Sequence, residues 1–189
     1  ERMTEQQINM MKINIASTKV NARLMAYGQD AHHVEELTAQ IKKIAKQPVI
    51  MKLSPNVTDI TEIAKGAEAG GADAVSLINT LTGMKIDINR KTFALANKTG
   101  GVSGPIVKPI AVRMVYQVAQ AVNIPIIGMG GISCAEDAIE FILAGASAVS
   151  VGTANFHNPA VTLEVIDGIE AYMKKNGFNS VKEMVGIVK

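Results

Sequence analysis

The chain has 189 residues, 48% of them hydrophobic, and a formal net charge of +2. This length and composition are typical of one globular domain with a substantial core and exclude a disordered chain. The positive and negative charges are interleaved, which predicts no nucleic-acid surface. No apolar run approaches the roughly 18 residues that cross a bilayer. The single cysteine, Cys134, excludes an internal disulfide and is consistent with the cytoplasm.

Five runs rich in valine and isoleucine predict strands, and these runs do not alternate cleanly with polar residues. That pattern is typical of strands covered on both faces, as in a parallel sheet. Amphipathic stretches lie between the runs, so the alternation indicates an α/β fold with right-handed crossovers. The predicted strands are residues 12–16, 48–54, 73–79, 124–130 and 147–152, and the predicted helices are residues 33–46, 59–70, 107–122, 135–144 and 159–175.

The chain contains an internal repeat. Residues 68–80, "EAGGADAVSLINT", are similar to residues 143–155, "LAGASAVSVGTAN". Each reads as the end of a helix, a glycine turn, a strand and a small polar loop. Repeated βα units are what a barrel requires, although two similar units in an open sheet would give the same pattern.

One segment is too long for an ordinary connection between a strand and a helix. Residues 82–101 contain "MKIDI" and "TFALA" on either side of "NRK", a pattern that predicts a β-hairpin above the strand ends. Loops of this length often cover a functional site.

Two neighbouring predicted strands end on glycine, in "IPIIGMGGIS" and "ASAVSVGTANF". Glycine at a strand end lets a bound group approach the backbone, and a helix that starts next offers unpaired N–H groups. Gly130–Gly131 and Gly152–Thr153 therefore predict a phosphate site, like the site after the last two strands of many (β/α)8 barrels. The alternative is that these glycines serve only tight turns.

The number of units falls short of a whole barrel. A (β/α)8 TIM barrel typically needs about 250 residues and eight strands, whereas this chain shows about five βα units. We therefore expect residues 1–189 to form the C-terminal portion of a single barrel domain whose first strands are missing from the sequence.

Five motifs resemble one known family in consistent order. They are "PVIMKLSPNVTDI", "AVSLINT", "NKTGGVSGPIVKPIAVRMV", "IPIIGMGG" and "ASAVSVGTANF". On these motifs the chain resembles the C-terminal part of dihydroorotate dehydrogenases, most closely the catalytic FMN subunits of the NAD-linked class 1B. The resemblance covers most of the chain, from about residue 25 to its end.

The resemblance implies roles for residues at matching positions. Lys52 would contact the flavin, where a cation near the pyrimidine edge stabilises charge; the residues alone leave open a surface lysine. Asn79–Thr80 would bind substrate, whereas the residues alone are equally consistent with a helix cap. The implied flavin contacts are Asn14, Lys52, Ile78, Gly104, Gly130, Gly131, Gly152 and Thr153, and the implied substrate contacts are Asn14, Asn79 and Thr80.

The implied catalytic base lies in "NIASTK", residues 14–19. The family reads N-[IL]-S-[CS]-P-N here, with cysteine as the base in the NAD-linked class and serine in the membrane-linked class. Ser17 takes that position, and Thr18–Lys19 replace the Pro-Asn of the family. A hydroxyl is a weak base unless its surroundings activate it.

The resemblance implies FMN-dependent oxidation of dihydroorotate to orotate in pyrimidine biosynthesis. A base would take a proton from C5 while a hydride passes from C6 to the flavin. Electrons would reach NAD through a partner subunit carrying FAD and a [2Fe–2S] cluster, in a heterotetramer built on a homodimer. We expect no metal site, since His32, His33 and His157 lack metal-binding spacing.

Two other interpretations remain open at this point. One is a related FMN barrel that acts on dihydropyrimidines. The other is a truncated barrel fragment that is inactive.

Overall fold

The computed structural model describes residues 8–15 and 28–188. Ser17 and the rest of the 16–19 segment lie outside the described residues. In chain order, the strands and α-helices are β1 Met11–Asn14, α1 Ala31–Ile44, β2 Val49–Lys52, α2 Ile60–Ala69, β3 Ala74–Leu77, β4 Leu81–Met84, β5 Ile86–Asp87, β6 Thr92–Phe93, β7 Thr99–Val102, α3 Lys108–Ala119, β8 Ile126–Met129, α4 Ala135–Ala144, β9 Ala148–Ser150 and α5 Val161–Asn176.

Five strands form one parallel sheet in the order β1-β2-β3-β8-β9. Consecutive helices pack against each other, from α1 on α2 to α4 on α5. With the right-handed crossovers of nearly all βαβ units, strands in sequence order place their helices on one side of the sheet. This is the arrangement of a barrel wall, whereas doubly wound sheets reverse their strand order. The predicted α/β fold with a parallel sheet is confirmed.

One face of the sheet packs under the helices and forms the core. Val49, Met51 and Leu53 alternate on this face of β2 or directly follow it, and all three are fully buried. Phe141 of α4 is also fully buried and lies over Gly128, where an added Cβ would stand 2.6 Å from the ring. Interiors are close-packed, so the glycine of β8 leaves the space that the phenyl ring fills.

The opposite face carries the polar residues of the same strands. Successive side chains of a strand point to opposite faces, so Lys12 and Asn14 lie opposite Met11 of the core. Asn14 is paired in register with Lys52, and Lys52 with Ser76. The sheet therefore separates an apolar layer beneath the helices from a face that bears two lysines.

Helix ends follow local sequence signals. Asp30 and Asp59 cap α1 and α2 by accepting hydrogen bonds from the N–H groups of His33 and Thr61, at 3.0 and 2.8 Å. Gly177 ends α5 in the left-handed conformation that favours glycine. Among the described residues, no helix is both long and apolar enough to cross a membrane.

The predicted hairpin is confirmed and is one of two antiparallel pairs. The predicted hairpin is the pair of β5 with β6, and the second pair is β4 with β7. The sequence prediction missed the pair of β4 and β7 because Thr99–Val102 includes two glycines and lacks the apolar alternation of a strand. The repeat is also seen in the structure, since each copy runs from a helix end through a glycine into β3 or β9.

Candidate functional site

A cavity of about 650 Å³ opens where the strands of the main sheet end. Carboxyl ends of parallel strands meet at one edge of a sheet, which is where α/β folds usually bind ligands. The volume lies within the usual range of about 300–1,000 Å³ for small-molecule sites. Of the residues predicted from the sequence, the cavity brings together Lys52, Ile78, Asn79, Thr80, Gly104, Gly130, Gly131, Gly152 and Thr153.

Two predicted residues stand apart from that group. Asn14 does not line the cavity, although it is exposed at the end of β1 and pairs in register with Lys52. Ser17 lies outside the described residues, so its predicted role as the base stays a prediction.

Three glycine-containing loops meet at one end of the cavity. Gly130 and Gly131 follow β8 with φ of 125° and 81°, values that side chains other than glycine rarely adopt. An added Cβ on Gly131 would stand 2.8 Å from the carbonyl oxygen of Gly104. The Thr153 hydroxyl donates to Ser103 Oγ at 3.2 Å, which connects the third loop to the other two.

The backbone amides of these loops have no protein acceptor within the described ranges. Gly130, Gly131, Gly152 and Thr153 donate no hydrogen bond to the residues that the structure describes. An N–H group in a protein normally has a partner, and an anion is the partner that several converging N–H groups favour. We call these four amides the amide cradle.

Helix α4 starts at Ala135, as predicted, so Ile132, Ser133 and Cys134 separate it from Gly131. The N–H of Ser133, nearest the helix, donates to Asp137 Oδ2 at 2.8 Å and is therefore capped by protein. The amides that line the cavity without a described protein acceptor belong to the loops themselves, since no residue of the first turn of α4 lines it.

Asp137 fixes the position of the 130–133 loop. One carboxylate oxygen accepts both the N–H and the hydroxyl of Ser133, and the other accepts Lys108 Nζ at 2.7 Å. Lys108 Nζ also donates to Glu140 at 2.6 Å. Since Lys108 begins α3 and Asp137 lies in α4, the ion pair joins two helices around the loop.

The electrostatics of this network favour its charged form. Burial alone would raise the pKa of Asp137, but hydrogen bonds from Lys108 and Ser133 outweigh it and lower the pKa to about 2. The same contacts, first with Asp137 and then with Glu140, raise the pKa of Lys108. Because Lys108 is held by two carboxylates, its charge is already compensated near the amide cradle.

The lysines on the polar face, Lys12 and Lys52, line the cavity at its other end. Lys52 is partly buried, and this burial together with the nearby charge of Lys12 lowers its pKa. Ser76, in register with Lys52, has a buried hydroxyl without a hydrogen-bond partner among the described residues. An uncompensated polar group of this kind favours a site for a polar ligand or water.

A single asparagine positions the segment after β3. Asn56 Nδ2 donates to the Thr80 carbonyl at 3.0 Å, and its Oδ1 accepts the Thr82 N–H at 2.9 Å. These contacts hold Thr80 beside the cavity and start strand β4. Sequence reasoning missed Asn56, and its place after a strand in "LSPN" was the available signal.

Sequence reasoning also missed several lining residues. Lys12 could have been found from strand parity, because it stands two residues before Asn14 on the same face. His157 is exposed and lines the cavity beside the loop of Thr153. No contiguous motif points to His157, whose position depends on the short 3-10 helix Thr153–Phe156.

The lining of the cavity is cationic. It includes two lysines and a histidine, and among the described residues that line it there is no aspartate or glutamate. Groups of His, Cys, Asp or Glu that could hold a metal are also absent from the described residues. An amide cradle at one end and a partly buried lysine at the other fit an elongated anionic ligand, such as a phosphorylated cofactor.

Comparison with protein families gives one match over most of the chain. The family model described as dihydroorotate dehydrogenase matches residues 2–173. A solved structure from Eimeria tenella, described as DHODH in complex with ferulenol, has a TM-score of 0.78 over 95% of this chain and 54% of its own chain. Its sequence identity is 24%, so that likeness concerns the fold.

Curated relatives are more similar in sequence. The chain is 63% identical over 189 residues to the protein named dihydroorotate dehydrogenase B (NAD(+)), catalytic subunit, of Lachnoclostridium phytofermentans. It is 54% identical over 182 residues to the protein of the same name from Bacteroides thetaiotaomicron. The alignments cover 100% and 96% of this chain but 63% and 60% of the relatives, so the chain spans somewhat less than two thirds of their length.

Substitution of Gly131 tests the close packing of the loops. We expect Gly131→Ala to lower the free energy of unfolding by about 2–4 kcal/mol, because the cost of a positive φ and the cost of the close contact with the Gly104 carbonyl add together. Gly177→Ala is the matched control: its φ is 75°, with no atom within 4 Å of the added Cβ. It should cost about 1 kcal/mol. Urea denaturation measures both, and equal losses would contradict the packing argument.

Proposed function

The chain belongs to the dihydroorotate dehydrogenase family, and on that premise we propose that its protein oxidises dihydroorotate to orotate with FMN in the cationic cavity. This reaction is a step of pyrimidine biosynthesis. The observation that carries the proposal is the cavity itself, which combines unpaired amides, a partly buried lysine and a lining without carboxylates in its described part.

The amide cradle would hold the phosphate of FMN. Its N–H groups would satisfy phosphate oxygens without a compensating cation, which suits a loop whose nearby Lys108 is already paired. Ile78, 3% exposed beside β8, offers an apolar surface for the ring system. Lys52 would lie at the pyrimidine edge of the ring, where its charge favours electron uptake. When bound, FMN supplies the hydride acceptor.

The substrate would lie above Ile78 in contact with polar side chains. Asn79 and Thr80 follow β3 and line the cavity, and their amide and hydroxyl groups match the ring edge of dihydroorotate. Asn14 would complete the site from β1, next to Lys52 in the sheet. Ser17, three residues after Asn14 in the sequence, would take the C5 proton.

The proposal extends to the assembly. The names of the curated relatives describe catalytic subunits linked to NAD(+). We propose that the chain is the C-terminal part of a single FMN-binding barrel domain that closes into a full (β/α)8 barrel, and that its protein forms a homodimer in the cytoplasm. A partner subunit with FAD and a [2Fe–2S] cluster would pass electrons to NAD in a heterotetramer.

Bound flavin and ligand specificity test the proposed function. The purified protein should retain FMN, visible in its absorbance, and should oxidise dihydroorotate when an artificial electron acceptor is added. Orotate should perturb the flavin spectrum and uracil should not, because uracil lacks the carboxylate. Retained FMN with a response to uracil would favour a dihydropyrimidine-oxidising barrel, and failure to bind FMN would contradict the proposal.

Substitution of Ser17 tests the proposed base. Ser17→Ala should slow dihydroorotate oxidation by about 10²–10⁴-fold, the usual contribution of a general base, and should leave orotate affinity nearly unchanged. Ser147→Ala is the matched control, since Ser147 is exposed and does not line the cavity. Steady-state rates and orotate titrations measure the two effects. A Ser17→Ala protein as fast as the unmodified protein would overturn the assignment.

A further inference from the structure

Lys12 and Lys52 form a pair of cations on one face of the sheet. Lys12 is in register with Ile50 on the neighbouring strand, two residues before Lys52. The two Cα atoms are separated by one strand spacing across the sheet and by two residues along the strand, which gives a distance of about 8 Å. Both side chains line the same cavity, so their ammonium groups share one solvent space.

This pair lacks a counter-charge in the described protein. Neither lysine forms an ion pair with a described residue, in contrast to Lys108, which contacts two carboxylates. The described lining of the cavity contains no acid that could approach them. Two neighbouring ammonium groups repel each other, and the pKa of Lys52 is lowered by burial and by Lys12. An anion bound between them would relieve this repulsion.

The phosphate of the cofactor would not be that anion. Lys12 lies on β1, at one edge of the five-stranded sheet, and the loop of Gly152 and Thr153 follows β9 at the other edge. Four strand spacings separate these edges, a distance of about 19 Å along the sheet. One phosphate group is too small to bridge that distance. The cavity therefore carries two lysines at one end and the amide cradle at the other.

We propose that Lys12 is a specificity-determining residue that binds the carboxylate of the substrate beside Lys52. This inference rests on the proposed function, and it goes further by naming the group that separates a carboxylated substrate from a neutral dihydropyrimidine. Lys52 lies at the ring of the cofactor and stabilises the negative charge of the reduced ring. Lys12 supplies a second positive charge, which balances the carboxylate of the substrate. Asn14, on the same strand face, ends the strand two residues after Lys12.

The test compares ligand affinities of Lys12→Met, which keeps the length of the side chain and removes its charge. Orotate affinity of the FMN-loaded protein should fall about 10- to 100-fold, the usual loss for a charged contact. FMN affinity should change less than twofold. Lys12→Arg should restore most of the orotate affinity, and the difference between Lys12→Met and the unmodified protein should shrink at high salt.

Two other variants separate the roles of the lysines. Lys52→Met should weaken FMN as well as orotate. Lys46→Met, the same substitution at an exposed lysine that does not line the cavity, should change neither affinity. Titrations followed by calorimetry give all of these values without any measurement of turnover.

The outcomes are distinct. Unchanged orotate affinity in Lys12→Met, with FMN bound normally, overturns the role of Lys12 and leaves the proposed function intact. A loss of FMN affinity in Lys12→Met with orotate unaffected assigns Lys12 to the cofactor and also overturns the inference. If the unmodified protein binds neither FMN nor orotate, the proposed function fails first and the inference falls with it.

Discussion

Parallel strand pairing is the constraint on which the whole site depends. Because β1, β2, β3, β8 and β9 run in one direction, their carboxyl ends meet at one edge, and the loops that follow them share one cavity. Residues separated by more than a hundred positions, such as Lys12 and Thr153, therefore line the same space. The described helices pack on the other face, which leaves Lys12 of β1 and Lys52 of β2 facing the cavity.

Packing around the glycines gives the amide cradle its shape. Gly131 lies so close to the Gly104 carbonyl and to Lys108 that a side chain would force the loops apart. Asp137 holds the same loop through Ser133 and Lys108, with its carboxylate kept ionised by those contacts. The free amides are thus positioned before any ligand binds, and binding requires little reorganisation of the backbone.

The sequence predicts the parallel sheet because buried strands read as continuous apolar runs, and it predicts the cavity glycines because two such runs end on them. Strand parity places Lys12 on the face of Asn14, but the position of Lys12 beside Lys52 depends on the register between β1 and β2. The sequence also does not predict the Asp137–Lys108 contact, which spans 29 residues. Register and long-range ion pairs depend on tertiary packing that local periodicity does not encode. The start of α4 at Ala135, by contrast, agrees with the prediction from the sequence.

Amide chemical shifts during an FMN titration test the central claim most directly. In a two-dimensional 1H–15N spectrum, the amides of Gly130, Gly131, Gly152 and Thr153 should show the largest downfield shifts, because each would gain a phosphate oxygen as acceptor. Gly145 and Gly177, which also have positive φ but do not line the cavity, serve as internal references. If FMN binds while the four cradle amides keep their positions and other amides shift, the phosphate lies elsewhere and the account is wrong.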